Sequence, residues 1–172
     1  MNVEFENILD VNDGLIEKIR QWRNSRNVSQ YMLQDHHISK EEHNNWIENL
    51  KTKKTAKAWV VKHENKAIGL ASLSDIDFEN KTTDWGFYIA DKKLRGKGLG
   101  TATLNKLMKI AFDDMKLEVM KTKVLNNNQV AIDLYKKIGF KKVGKTDEKL
   151  IRENETVEII VMSINSKDWR KK

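Results

Sequence analysis

The strongest constraint on this chain is a glycine-rich stretch, Arg95-Gly96-Lys97-Gly98-Leu99-Gly100. It lies between a β-like run and the most regular helical pattern in the sequence. Upstream, Thr82–Ala90 contains Trp-Gly-Phe-Tyr-Ile; downstream, Thr101–Met115 places Leu104, Leu107, Met108, Ala111, Phe112 and Met115 on one face. Three glycines in five positions let the backbone approach a bound group closely. The helix that follows offers unpaired N–H groups and the positive end of its dipole. One glycine would satisfy a plain strand-to-helix turn, so the loop reads as a cradle for a phosphorylated ligand. Its spacing is not that of a Walker A loop. It is not G-x-G-x-x-G either, because Thr101 and Thr103 stand where the third glycine would fall.

Around this loop the pattern predicts one mixed α/β domain spanning residues 1–172. Val3–Ile8 reads as a short strand and Gly14–Asn27 as a helix with Leu15, Ile19 and Trp22 on one stripe. Ser39-Lys40-Glu41-Glu42 fits a capping box and opens a second helix bearing His43, Trp46, Ile47 and Leu50 on one face. Lys57–His63, Lys66–Phe78 and Thr82–Ala90 read as strands joined at Glu64-Asn65 and Glu79-Asn80. Leu117–Leu125 is β-like and Gln129–Ile138 is helical. Phe140–Leu150 and Thr156–Ile164 pair across Arg152-Glu153-Asn154. Three consecutive strands followed by βαβ exclude a doubly wound parallel sheet.

Composition narrows the function. Cysteine is absent, which removes disulfides, thiolate metal sites and a cysteine nucleophile. No residue cluster calls for a metal. No stretch approaches the roughly 20 apolar residues of a membrane span, and Met1–Glu6 has no signal-peptide character, so a cytoplasmic protein is expected with no membrane partner. The net charge of +7 comes from lysines interleaved with acids, and only Arg170-Lys171-Lys172 is densely basic. Without a clustered basic face or a known motif, nucleic acid is not an expected partner.

Arg95-x-x-Gly98-x-Gly100 resembles the R/Q-x-x-G-x-G/A signature of the GNAT N-acetyltransferase superfamily. Asn128-Gln129-Val130-Ala131-Ile132-Asp133-Leu134-Tyr135-Lys136-Lys137-Ile138-Gly139-Phe140 resembles that family's second element, N-x-x-A-x-x-L-Y-x-K-x-G-F. The resemblance implies a largely antiparallel sheet of six to seven strands flanked by about four helices. It makes 57–164 the acetyl-CoA core and 14–50 the acceptor-binding helices, and it implies acetyl-CoA as cosubstrate. Arg95, Gly96, Lys97, Gly98, Leu99, Gly100 and Thr101 would wrap the pyrophosphate, Asn128 would hydrogen-bond the pantetheine arm or help order water, and Lys137 would also contact the cofactor. Asn128 is equally a helix N-cap, and both roles can hold. Tyr135 would be the acid that protonates the departing thiolate. The strand Trp85–Ala90 would splay from its neighbour and supply an oxyanion donor near Tyr88 or Ile89. Asp84, Asp75 and His43 are candidates for the base, or water relays the proton. Glu41 and Glu42 read as cap residues.

For the acceptor, Trp22-Arg23-Asn24, Tyr31-Met32, Ile38-Ser39, His43 and Trp46-Ile47 resemble two groups within the superfamily. One holds the ribosomal-protein and polyamine acetyltransferases. The other acetylates the 4-amine of a UDP-linked 4-amino-4,6-dideoxy sugar in pseudaminic acid biosynthesis, and the residue order is closer to it. Arg23 would pair with a diphosphate, His43 with phosphate or ribose. Met32 and Trp46 would line the uracil or the sugar methyl, with Tyr88 and Asp84 where acceptor and cofactor meet. Trp22 and Trp46 also fit core stripes, and His36 and His37 read as surface residues. The complete glycine loop shifts the sequence toward the first group. Its peptide and polyamine members need clustered carboxylates, and none is visible in the sequence. A homodimer through the C-terminal strands is a further implication of the resemblance.

Overall fold

Alternating apolar and polar residues build the sheet. The computed structural model describes residues 1–171, and Lys172 of the basic terminus lies outside them. The strands are β1 (Glu4–Asn7), β2 (Lys57–His63), β3 (Lys66–Asp77), β4 (Thr82–Ile89), β5 (Val119–Leu125), β6 (Lys141–Arg152) and β7 (Glu155–Asn165). The helices are α1 (Asp13–Asn24), α2 (Arg26–Ser29), α3 (Lys40–Thr52), α4 (Leu99–Lys109), α5 (Gln129–Ile138) and α6 (Ser166–Arg170). Among the described residues the strands form one seven-stranded sheet ordered β1-β2-β3-β4-β5-β7-β6. Neighbours run antiparallel except β4 and β5.

Local chemistry explains the boundaries. Glu64 and Asn65, and Glu153 and Asn154, adopt positive φ, the conformation a two-residue hairpin requires. Ser39 Oγ accepts from the Glu42 N–H at 3.1 Å, as the capping box predicts. The expected single helix over 14–27 is divided. Ser25 takes an extended backbone (ψ 143°), its hydroxyl donates to the Trp22 carbonyl at 2.6 Å, and α2 starts anew at Arg26. The apolar period hides this break because Val28, one turn further on, is buried as a continuous helix would bury it. α4 begins two residues before the expected Thr101, and its last turn widens to a π turn over Ile110–Asp114.

Strand side chains alternate between two faces of the sheet. On one face Ala71, Leu73, Trp85, Ile89, Met120 and Met162 pack under Leu104, Leu107 and Phe112 of α4 and its π turn, and under Ile132, Tyr135 and Ile138 of α5. On the other, Ala58, Val60 and Leu70 pack under Ile19 and Trp22 of α1 and Trp46 and Ile47 of α3. Each large side chain so buried is worth about 2 kcal/mol, which fixes the sheet register from both sides.

Candidate active site

The functional geometry begins where β4 and β5 part. Their main chains pair only at Thr82–Val119, Thr83–Met120 and Asp84–Lys121. At the next position the Thr122 hydroxyl donates to the Trp85 carbonyl at 3.0 Å, a side chain taking the place of a ladder partner. Beyond it β4 stays with β3, Gly86 opposite Ser72 and Ile89 opposite Gly69. β5 stays with β7, from Thr122 opposite Met162 to Leu125 opposite Ile159. A V-shaped gap opens between them.

Strand parity decides which main-chain groups face the gap. Ala90 N–H donates to Ile68 on the β3 side, so Ala90, Tyr88 and Gly86 belong to that ladder, and Ile89 and Phe87 face the opening. The expected oxyanion donor therefore falls at Ile89 or Phe87; Tyr88 is excluded because its N–H points toward β3. Gly69 makes this strand position possible. A Cβ there would lie 2.0 Å from the Tyr88 carbonyl oxygen.

The glycine loop closes one end of the gap. Gly96 (φ 73°) and Gly98 (φ 79°) occupy left-handed backbone, and Gly98 caps α4. The first helical bond runs from Ala102 N–H to Gly98 O. Leu99, Gly100 and Thr101 thus precede it with N–H groups that have no partner in the helix. Lys97 is exposed beside them. The arrangement fits a pyrophosphate by backbone donors and dipole. Arg95 departs from its expected use. Its guanidinium folds inward, donating to the Ile89 carbonyl from Nε at 3.2 Å and from Nη2 at 3.1 Å, and to Asn27 O at 2.9 Å. It ties the end of β4 to α2, so only its backbone remains for a phosphate.

Tyr135 lies on the other side of the gap. Its ring is buried and meets Trp85 edge-on, with centroids 4.9 Å apart. Burial pushes its phenol above the ordinary range, so it keeps its proton. Asn128 caps α5 through Ala131 N–H at 3.4 Å, and Lys137 is exposed near the end of that helix.

The residues expected to receive the acceptor lie on α1, the segment from Gln30 to Ser39, and the opposite sheet face. Tyr88 is half-buried under α1, its hydroxyl 3.4 Å from the Ile19 carbonyl; desolvation raises its pKa and nearby Arg23 opposes the rise. Arg23 Nη2 donates to the Gln34 carbonyl, while Nη1 is buried without a protein partner. Desolvation lowers the Arg23 pKa, and Tyr88, Glu42 and Asp35 act against that shift. Asp84 points to the same face as Tyr88. Burial raises its pKa, Lys121 pulls it down and Asp75 raises it.

Two expectations are corrected here. His43 is 5% exposed, held toward the Ile16 backbone on the inner face of α3, and its pKa is lowered by desolvation. The Trp46 ring lies tilted beside it, with centroids 5.4 Å apart, and packs into the α1–α3 layer. Both lie in the α1–α3 layer, where His43 Nε2 is buried without a protein partner. The missing carboxylates also appear once the chain is folded: Asp75 acts on Asp84, and Asp35 and Glu42 on Arg23. Met32 is half-buried at the rim. Its carbonyl and that of Leu33 accept from Arg152, a residue with no sequence signal. Among the described residues no group of three or more His, Asp or Glu is arranged for a metal ion, and no helix is long and apolar enough to cross a membrane.

Comparison with known proteins places this architecture. Residues 10–141 match the acetyltransferase (GNAT) domain family. Acetyltransferase PseH of Campylobacter jejuni subsp. jejuni serotype O:2 is 33% identical over 142 residues, 80% of this chain and 84% of the relative. The fold is shared with spermidine N-acetyltransferase from Vibrio cholerae, solved with CoA and spermine, at a TM-score of 0.88 and 19% identity over 98% of each chain. It is shared with Campylobacter jejuni PseH in complex with acetyl coenzyme A at 0.74 and 21%, over 95% of this chain and 99% of that one. The chain belongs to the GNAT acetyltransferase family and is an acetyl-CoA-dependent N-acetyltransferase.

Proposed function

We propose that acetyl-CoA lies along the β4–β5 gap, its pyrophosphate on the backbone of Gly96–Thr101 and its thioester beside Ile89 and Tyr135. The acceptor amine enters over Arg23 and Tyr88. The amine gives up a proton to Asp84 or to water and attacks the thioester carbonyl, so a C–N bond forms and the C–S bond breaks. The Ile89 or Phe87 N–H donates to the oxyanion. Tyr135 passes its proton to the departing thiolate and is reprotonated from solvent. The observation that carries this reading is the gap itself, with a protonated phenol on one face of the sheet and a half-buried carboxylate on the other.

The acceptor we favour is a small aliphatic amine of the polyamine kind. The likeness to the spermidine enzyme extends over nearly the whole chain. Asp84, Asp75, Asp35 and Glu42 supply the negative charge that a polycation needs. A nucleotide-sugar amine is the second reading. Arg23 favours it, with its unpartnered Nη1, as does the resemblance of the acceptor segment. The deciding experiment is thiol release from acetyl-CoA with spermidine, a UDP-4-amino-4,6-dideoxy sugar and an alanine-initiated basic peptide. Turnover of spermidine alone supports the first reading. Turnover of the sugar alone reverses the order. Turnover of only the peptide removes both.

A further inference from the structure

We propose that Arg152, at the end of β6, is a positioning residue that fixes the acceptor segment 30–38 against the open side of the sheet. The proposal rests on the reading that acceptors enter over Arg23 and Tyr88.

This segment lacks regular hydrogen bonding over most of its length, and its carbonyls need donors from elsewhere. The structure supplies them from two directions. At the near end, Ile38 O accepts from Arg20 Nη1 at 2.8 Å and from Asn24 Nδ2 at 3.0 Å. Ile38 N–H returns a bond to Asn24 Oδ1 at 2.8 Å. Gln34 O accepts from Arg23. All these donors lie on α1, so they hold the segment only to its own helix.

The far end is held from the other side of the sheet. Arg152 Nη2 donates to Met32 O and to Leu33 O, each at 2.8 Å, and Nη1 lies 3.3 Å from Asp35 Oδ1. The Arg152 side chain is only 15% exposed, which sets it apart from the exposed Arg26–Glu153 pair at the same junction. Beneath it Leu33 and Leu150 pack on Leu125, Val157 and Ile159. One planar guanidinium thus spans three anchor points, at Met32, Leu33 and Asp35, that an ammonium cannot match. Arg23 is coupled to this clamp because its own anchor, Gln34 O, lies between Leu33 and Asp35. Loss of Arg152 frees the rim that carries Met32 and loosens the hold on Arg23. The glycine loop, bonded to β4 and α2, keeps its place.

The test compares wild type with Arg152→Ala and Arg152→Lys. Steady-state constants are taken for whichever panel amine is turned over, and amide hydrogen exchange is measured on 30–38 and on 96–101. The alanine variant is expected to raise acceptor KM by about tenfold, with acetyl-CoA KM and kcat within about twofold. Exchange should quicken over 30–38 by about tenfold and stay unchanged over 96–101. Lysine, which can replace one bond but not the fork, should fall between. Unchanged exchange over 30–38, or faster exchange with an unchanged acceptor KM, overturns the proposal. So does loss spread equally over both segments and both substrates, since that marks an ordinary structural residue. If wild type acetylates no amine in the panel, the acceptor reading fails, and the exchange measurement still decides whether Arg152 holds the segment.

Discussion

The two sides of this site are built in opposite ways. The cofactor side is assembled from backbone: positive-φ glycines, the first N–H groups of α4 and the strand edge of β4, all within Gly86–Ala102. The acceptor side is assembled from side chains that meet from far apart in the sequence, Arg20, Arg23 and Asn24 with Ile38 and Gln34, and Arg152 with Met32. A backbone cradle tolerates change in side chains and fails when φ is constrained. A side-chain lattice tolerates backbone adjustment and fails when one long residue is lost.

Substitutions should separate the two sides. In the proposed mechanism Tyr135 is the acid common to both sides, and Tyr135→Phe is expected to lower kcat by about 100-fold, the usual worth of a general acid, with both KM values nearly unchanged. Its raised pKa adds a sign. The phenol stays protonated well past neutral pH, so the wild-type rate should not fall on the alkaline side below about pH 10. A descending limb near pH 8 would show that another group is the acid. Gly98→Ala tests the cofactor side alone. The site has room for a Cβ, with Met1 Cγ the nearest atom at 3.7 Å, so the cost is the left-handed backbone, about 1 kcal/mol or more, and distortion of the cradle. Acetyl-CoA KM should rise by about tenfold while acceptor KM stays put. Parallel rises in both would mean that the two sides are not independent.

The same contrast governs what a reader of the sequence can see. The cradle, the cap at Ser39, the hairpin turns at Glu64-Asn65 and Glu153-Asn154 and the helical faces are local patterns. They reappear in the structure within a residue or two. The mixed, largely antiparallel sheet follows from element order. The burial of His43 is not legible in the sequence, because a polar residue on an amphipathic stripe suggests exposure, whereas here the ring is turned inward toward the Ile16 backbone. Ser25 was missed because Val28 keeps the helical period across the break. Arg152 was invisible because its partners lie 119 and 120 positions away, and an arginine beside a hairpin turn looks like any surface cation. The carboxylates near Asp84 and Arg23 were hidden for the same reason.

A smaller effect bears on which acceptor the side-chain lattice serves. Arg23→Ala removes the cation nearest Tyr88 and leaves Asp35 and Glu42 without its opposing charge. A phosphate-bearing acceptor should lose about fivefold in KM, whereas spermidine should bind equally well or better, because the field at the entrance becomes more negative. The sign of the change, read with the two amines side by side, decides between the readings independently of turnover number.

The smallest expected effect concerns Asp84, where water can substitute for the side chain. Burial is the largest influence on its pKa and raises it. Asp75 pushes the same way and Lys121 opposes both. The carboxyl is protonated below that raised pKa and unable to accept a proton, so activity should climb as pH rises through it, above the ordinary aspartate value of about 3.9. Asp84→Asn should flatten this limb and reduce the rate above it by about threefold, the modest loss expected when a relayed proton finds another path. Lys121→Met supplies the converse. Removing the stronger of the two cations that favour the charged form, with Lys123 left in place, should move the limb to higher pH without abolishing it. If the limb moved to lower pH, or stayed in place in both variants, the titrating group would lie elsewhere, and the proton path would run through solvent without Asp84.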